Sequence, residues 1–478
     1  MATSYKTPGV YIQEVSAFPN SLPMDISTAV PAFIGYTQMA KKTTADDLDF
    51  TPFRINGLHE FEQYFGSMPA EIITLTIDDV IEKTGATEKL IQRKVDAVIS
   101  SFSPHIFWYQ LQIYFANGGG PCYIISVGRT TGNLYAHDLL RGLQAAQQQK
   151  GITLLVFPEG GAMQNPAELY ALYNTAMQQA ASTQDRFVLC DVSNQPVPEG
   201  NDVSFFRKMI TGGKAEGLRY GAAYYPYLQT GIAACYAPEK VSINHNTLIK
   251  EAGKADSSNN GSLHGLTMAD EPAKTTIDMS LALRSLRVTL PPSCAVAGLY
   301  CLVDNTRGVW NAPANVSINN VISPVIQINN NEQAELNAPI DGKSINAIRS
   351  FTGKGVLVWG ARSLDGNSTD WRYIPVRRTC IMIETAVAAA LQQFIFEPND
   401  ANTWINIQAL IENYLTELWK QGALQGAKPE HAFAVQIGLG KTMTNTDLLE
   451  GMLRVQIMIS VVRPAEFLVL SFQQKMAV

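Results

Sequence analysis

Glu159 and Asp191 are the residues of this chain whose type and position most suggest chemistry. They follow or lie within two apolar runs, ITLLVF at 152–157 and FVLCDV at 187–192, of the kind that form strands buried on both faces. In an open α/β sheet the ligand crevice lies beyond the carboxyl ends of the strands. Two carboxylates at that edge can hold Mg²⁺ or divide the work of general acid and base, so one reading is a metal-assisted hydrolase. The other is that both residues are helix caps or turn formers.

The remaining chemical signals are weaker. Gly438-Leu439-Gly440-Lys441-Thr442 looks like the end of a phosphate-binding loop, but Val435 stands where the first glycine of that loop is needed. Gly118-Gly119-Gly120 precedes a strand instead of following one, which reads as a helix stop and turn. The histidines at 59, 105, 137, 245, 264 and 431 include no HExxH pair, and no GxSxG elbow occurs. The cysteines at 122, 190, 235, 294, 301 and 380 sit mostly in apolar runs without a CxxC spacing and read as buried reduced thiols. No cofactor or metal is expected.

Composition narrows the partners. A formal charge of -6 over 478 residues carries no basic footprint, so nucleic acid is not an expected partner. Charged residues are only 16% of the chain, which suits surfaces covered by other protein. There is no apolar run of about 18 residues and no signal-peptide pattern, so neither membrane insertion nor Sec export is expected. The chain reads as cytoplasmic during assembly, leaving the cell, if it does, by a route such as lysis.

The elements that must position these residues follow in order. A first strand of the globular body lies at 30–36, and residues 70–103 show helical spacing, which predicts a helical insertion. From 122 onward strands at 122–127, 152–157, 187–192 and 219–224 alternate with helices at 133–150, 166–182 and 202–212. This pattern predicts a mostly parallel sheet flanked by helices. Residues 225–290 leave that pattern, with a polar exposed loop at 252–262. Helices at 381–394 and 404–421, the second capped by Asn402 or Thr403, open a final α+β domain.

Both ends are apolar strands. Val10, Tyr11, Ile12 and Val15 belong to a period-two run, joined to the body by a tether that holds Pro19 and Pro23. At the other end Val455 and Ile457 lie in one run, and Phe467, Val469 and Leu470 in a second beyond Arg463-Pro464. Terminal strands of this kind either pair within their own molecule or complete a neighbour's sheet.

TPGVYIQEV near the start and RPAEFLVLSFQQK near the end resemble the ends of contractile tail sheath proteins of phages and phage-tail-like injection systems. The densest match is PPS at 291–293 with AG at 297–298, Asp304, and Arg307-Gly308-Val309-Trp310-Asn311-Ala312-Pro313-Ala314-Asn315. WGAR at 359–362 and Trp371-Arg372-Tyr373 through Arg378 continue it. The resemblance implies a central α/β domain of subtilisin-like but non-catalytic architecture at 28–365, after an N-terminal strand and tether at 1–27. It further implies a C-terminal sheath domain at 366–478 and extended terminal arms. It also implies partners: further copies in hexameric rings stacked helically, an inner tube protein, and baseplate and tail-terminator or cap proteins. The expected function is a structural subunit that shortens to drive the inner tube through an envelope, as part of a phage tail or of a released or anchored particle.

Overall fold

The computed structural model of the protein describes residues 27–68, 70–252, 254–270 and 277–467. The described chain forms two units, one of residues 27–381 with 463–467 and one of residues 382–462. The division falls within the helix Ile374–Leu391.

Strands such as PAFIGYT and FVLCD are buried at every position, which only a sheet covered on both faces allows. They lie in a nine-stranded sheet. Its spatial order is Val316–Ser317, Gly355–Trp359, Ile345–Phe351, Gly221–Tyr225, Phe187–Asp191, Leu154–Val156, Pro31–Thr37, Cys122–Arg129, Phe53–Ile55. The run from Ile345–Phe351 to Cys122–Arg129 is parallel, and the pairs outside it are antiparallel. Consecutive residues point to opposite faces. Phe33, Ile124, Leu154 and Leu189 face a core shared with the helices Phe107–Ala116 and Ser293–Arg307. Ile34, Ile125, Leu155 and Val188 face the core under Ala136–Gln148 and Pro166–Thr183. The helix Ser293–Arg307 is buried from Ser293 to Cys301 and runs close to Phe107–Ala116. A Cβ on Gly298 would stand 2.4 Å from the Tyr114 carbonyl oxygen, so only glycine permits that approach.

The expected helical insertion at 70–103 is instead a β-hairpin, Glu71–Thr84 and Thr87–Ser101. Ile73, Leu75 and Ile77 alternate with threonines, and their buried face meets Val241, Ile243, Met279 and Leu283. Glu71–Thr84 also pairs in parallel with Tyr236–Glu251, whose far edge takes Ser257–Asn260. The polar 252–262 stretch therefore contains a short exposed strand. One buried polar group holds this second sheet in register. Asp79 accepts two hydrogen bonds from Arg93, 2.7 Å each, and lies 2.9 Å from His245 Nε2.

In the other unit the helix Ala401–Lys420 buries Ile407, Ile411, Leu415 and Leu418, the expected face. Its cap is Asp400, which accepts from Thr403 N at 2.9 Å, rather than Asn402 or Thr403. The strand Phe433–Ile437 packs on this helix and pairs antiparallel with Val455–Ile459.

Candidate assembly site

The two carboxylates singled out for chemistry do not form an open edge site. Glu159 and Asp191 are both fully buried. Asp191 ends its strand and accepts from Ser293 N at 2.8 Å, at the start of the buried helix. Burial pushes its pKa up to about 7, against the pull of that hydrogen bond. Glu159 accepts from Tyr36 N at 2.6 Å and lies 3.2 Å from His105 Nδ1. His105 Nε2 donates to the Gly132 carbonyl at 2.8 Å, so one proton is shared between Nδ1 and Glu159. Burial raises the Glu159 pKa; it works against the imidazolium, yet the hydrogen bond and charge of Glu159 leave His105 above its ordinary value. The space beside Tyr36, His105, Phe107 and Trp108 is about 10 Å³, no more than one water fills. Substrate has no access here, and among the described residues no group of three or more His, Cys, Asp or Glu side chains could hold a metal.

The phosphate-loop fragment is a turn between Phe433–Ile437 and the five-residue helix Asn445–Leu449, in which Thr442 N and Met443 N both donate to the Gly438 carbonyl. All six cysteines are free, five buried and Cys235 partly so.

Several motif residues gather within the larger unit, and two of the terminal-strand residues lie in the smaller one. Val455 and Ile457 lie in the strand Val455–Ile459, opposite Ile437 and Val435. Their side chains are half-buried, while Gln456 and Met458 between them are exposed. Among the described residues this is a two-stranded sheet, and such a sheet is marginal alone and is strengthened by another strand.

After Val462 the chain returns to the larger unit. There Arg362 grips Glu466 with Nε to Oε1 at 2.9 Å and Nη2 to Oε2 at 2.6 Å. Asn337 Nδ2 adds a bond of 2.5 Å and the Tyr373 hydroxyl one of 3.1 Å. Burial works to raise the Glu466 pKa, but the bonds from Arg362, Asn337 and Tyr373 hold it below the usual carboxylate range. Around this point a cleft of about 400 Å³ is lined by Ala312, Asn315, Trp359, Tyr373, Glu466 and Phe467, among others. Four motif stretches thus line one site: APAN, WGAR, WRY and RPAEF.

The other motif residues make local contacts of their own. Arg307 ends the helix Ser293–Arg307 and is exposed. Gly308 has φ 89°, and the Trp310 ring would lie 2.4 Å from a Cβ there, so the turn requires glycine twice over. Pro313 is buried, and Asn315, at φ 55°, donates its N–H to the Val358 carbonyl at 2.8 Å. Trp371 lies under the Arg377 guanidinium at 4.5 Å, and Arg372 Nε donates to the Gly366 carbonyl at 2.9 Å. Sequence reasoning missed the role of Glu466 and Arg362. Both stood inside the quoted motifs, but their pairing across the chain leaves no local signal.

Phe467 lies outside any strand and is 74% exposed. Val10, Tyr11, Ile12, Val15, Pro19, Pro23, Val469 and Leu470 lie outside the described residues. Among the described residues no helix is long and apolar enough to cross a membrane.

The Phage tail sheath C-terminal domain family model matches residues 367–475. Among solved structures, the helical sheath of the anti-feeding prophage in its contracted state is 30% identical, over 99% of this chain and 100% of that one, with TM-score 0.63. The contracted sheath complex of PVC, an extracellular contractile injection system, is 26% identical over 99% of both chains, with TM-score 0.64. A chain of the six-fold symmetrised anti-feeding prophage baseplate is 29% identical, over 99% of this chain and 100% of that one, with TM-score 0.62. No match is found among curated proteins. Likeness to these sheaths over 99% of the chain, together with the motif residues gathered around Glu466, establishes that the chain belongs to the contractile tail sheath family.

Proposed function

We propose that copies of this sheath subunit form hexameric rings stacked into a helical tube around an inner tube protein. The tube ends on a baseplate and on a terminator or cap protein. Neighbours are joined by strand exchange: Val10, Tyr11, Ile12 and Val15 from one copy, and Phe467, Val469 and Leu470 from another, add to the sheet that holds Val455 and Ile457. The observation that carries this reading is the two-stranded sheet of residues 433–437 and 455–459, with a helix behind it and, among the described residues, no third strand. Strand addition supplies several backbone hydrogen bonds and lets alternate side chains interleave.

A polymer that shortens without falling apart needs contacts that survive the change. Exchanged strands serve as those contacts, and the tether holding Pro19 and Pro23 takes up the change of angle. On this reading the terminal strand and tether span 1–27, the central domain 28–365 and the sheath domain 366–478, and the central domain has subtilisin-like architecture with mechanical work in place of catalysis. Contraction uses no cofactor. Each subunit need favour the contracted packing by only a few kcal/mol, because the differences add along the tube. Assembly is cytoplasmic, and the finished tube becomes part of an extracellular particle or phage tail.

Negative-stain microscopy of the purified protein tests the reading. Rings or striated tubes are the expected result; discrete particles at every concentration and ionic condition that supports folding contradict it.

A further inference from the structure

Glu466 is the last charged residue of the described chain and the most heavily bonded one near either end. Behind it, Val462 N still donates to the Ala423 carbonyl at 3.1 Å in the smaller unit. Ahead of it, Phe467 is 74% exposed. Arg463 adds only an exposed contact, 3.7 Å from Asp370. Between these points one carboxylate is held by donors from three separate segments, Asn337, Arg362 and Tyr373.

The socket is built into the main sheet. Arg362 N donates to Asn346 Oδ1 at 2.8 Å, and Asn346 Nδ2 returns bonds to the Arg362 carbonyl at 2.8 Å and the Ala223 carbonyl at 3.1 Å. Arg362 Nη1 also reaches the Asn337 carbonyl at 3.1 Å. Its side chain is only 6% exposed, and its guanidinium is held between the Asn337 carbonyl and the Glu466 carboxylate. A forked, two-bond pair fixes direction as well as position, which a lysine or an apolar contact does not.

The geometry points to Arg362 as a positioning residue for assembly: through Glu466 it fixes where, and in which direction, residues 467–478 leave the central unit toward a second copy of this chain. The inference rests on the strand-exchange reading above. About a dozen residues reach about 40 Å when extended, so the placement of their root decides which acceptor sheet they meet. Without the anchor the root falls back to Val462, the free segment lengthens and loses its heading, and the local concentration of the arm at its acceptor drops.

Three full-length variants, Glu466→Ala, Glu466→Asp and Arg362→Lys, and a deletion of residues 468–478 test it. Two quantities are read: the protein concentration at which tubes form, by light scattering and microscopy, and the melting temperature of the unassembled protein. The deletion is expected to abolish tubes. E466A is expected to raise the threshold about tenfold and, because it leaves the buried Arg362 without its carboxylate, to lower the melting temperature as well. R362K and E466D keep both charges and are expected to melt near wild type, with R362K intermediate in threshold and E466D closer to wild type. If the deletion still forms normal tubes, the strand-exchange reading itself fails. If the deletion abolishes tubes but E466A and R362K assemble at the wild-type threshold, the anchor is overturned while strand exchange stands. A threshold that rises in R362K only in step with a fall in its melting temperature assigns the pair to folding and overturns the anchor as well.

Discussion

Arg378 holds Asp304 with two hydrogen bonds, Nη1 to Oδ1 at 2.9 Å and Nη2 to Oδ2 at 2.5 Å, between side chains 3% and 4% exposed. Thr28 joins the pair, its hydroxyl donating to Asp304 at 2.5 Å and its carbonyl accepting from Arg378 at 3.0 Å. The guanidinium lies 4.4 Å over the Tyr300 ring, whose hydroxyl is 2.7 Å from that of Tyr224. One ion pair therefore ties the first described residues of the chain to the buried helix Ser293–Arg307 and to the start of the helix Ile374–Leu391.

Breaking this pair from one side leaves a buried, unmatched charge. Asp304→Ala is expected to lower the stability of the larger unit by about 3–5 kcal/mol, whereas replacing both partners by apolar residues of similar volume costs much less. Denaturant unfolding of the two single variants and the double variant measures the difference. Equal losses in the single and double variants would contradict the assignment.

Asp191 makes stability depend on pH in a defined direction. Its folded pKa, about 7, is above its ordinary value of 3.8, so between these values the folded state binds the proton more tightly than the unfolded one. The stabilisation is complete below about pH 4 and is lost as pH rises through 7, a change of about 4 kcal/mol at 1.36 kcal/mol per unit. Glu71, also pushed up to about 7 by burial against a hydrogen bond from Ser103, acts in the same sense. Asp191→Asn keeps an acceptor for Ser293 N and has no charge to gain. It is therefore expected to gain stability relative to wild type as pH rises from 5 to 8, as followed by melting temperature; a constant difference across that range would refute the assignment.

The second sheet depends on a different carboxylate. Arg93 first, with His245, holds the Asp79 pKa below its ordinary value despite burial. Asp79→Asn weakens both bonds and is expected to cost about 3 kcal/mol. The loss is confined to this sheet. Hydrogen exchange is expected to accelerate in Glu71–Thr84 and Tyr236–Glu251 and to stay slow in Phe187–Asp191. Acceleration across the main sheet would show that the two sheets open as one.

The alternating units of the central sheet were legible because each strand buries both faces and each helix has one apolar stripe, both local properties. The strand 187–192 and the helix 166–182 were read within one residue of Phe187–Asp191 and Pro166–Thr183. Residues 70–103 carry a false helical signal, because Ile77, Val80 and Ile81 satisfy a helical period by accident. The period-two run of Ile73, Leu75 and Ile77 and the density of Ile, Val and Thr were the better signal. The pairing of Glu71–Thr84 with Tyr236–Glu251 had no local trace, since its register is set by partners far away in the chain. Arg362 with Glu466 fails for the same reason. Asp191 was seen at the right place in the sheet, but not that the helix Ser293–Arg307 closes over it.

Removal of residues 1–16, followed by sedimentation and microscopy alongside the full-length protein, tests the strand-exchange account most directly. The account predicts a folded, soluble protein with an unchanged circular dichroism spectrum that forms no tubes. Normal sheaths from the truncated protein would contradict it.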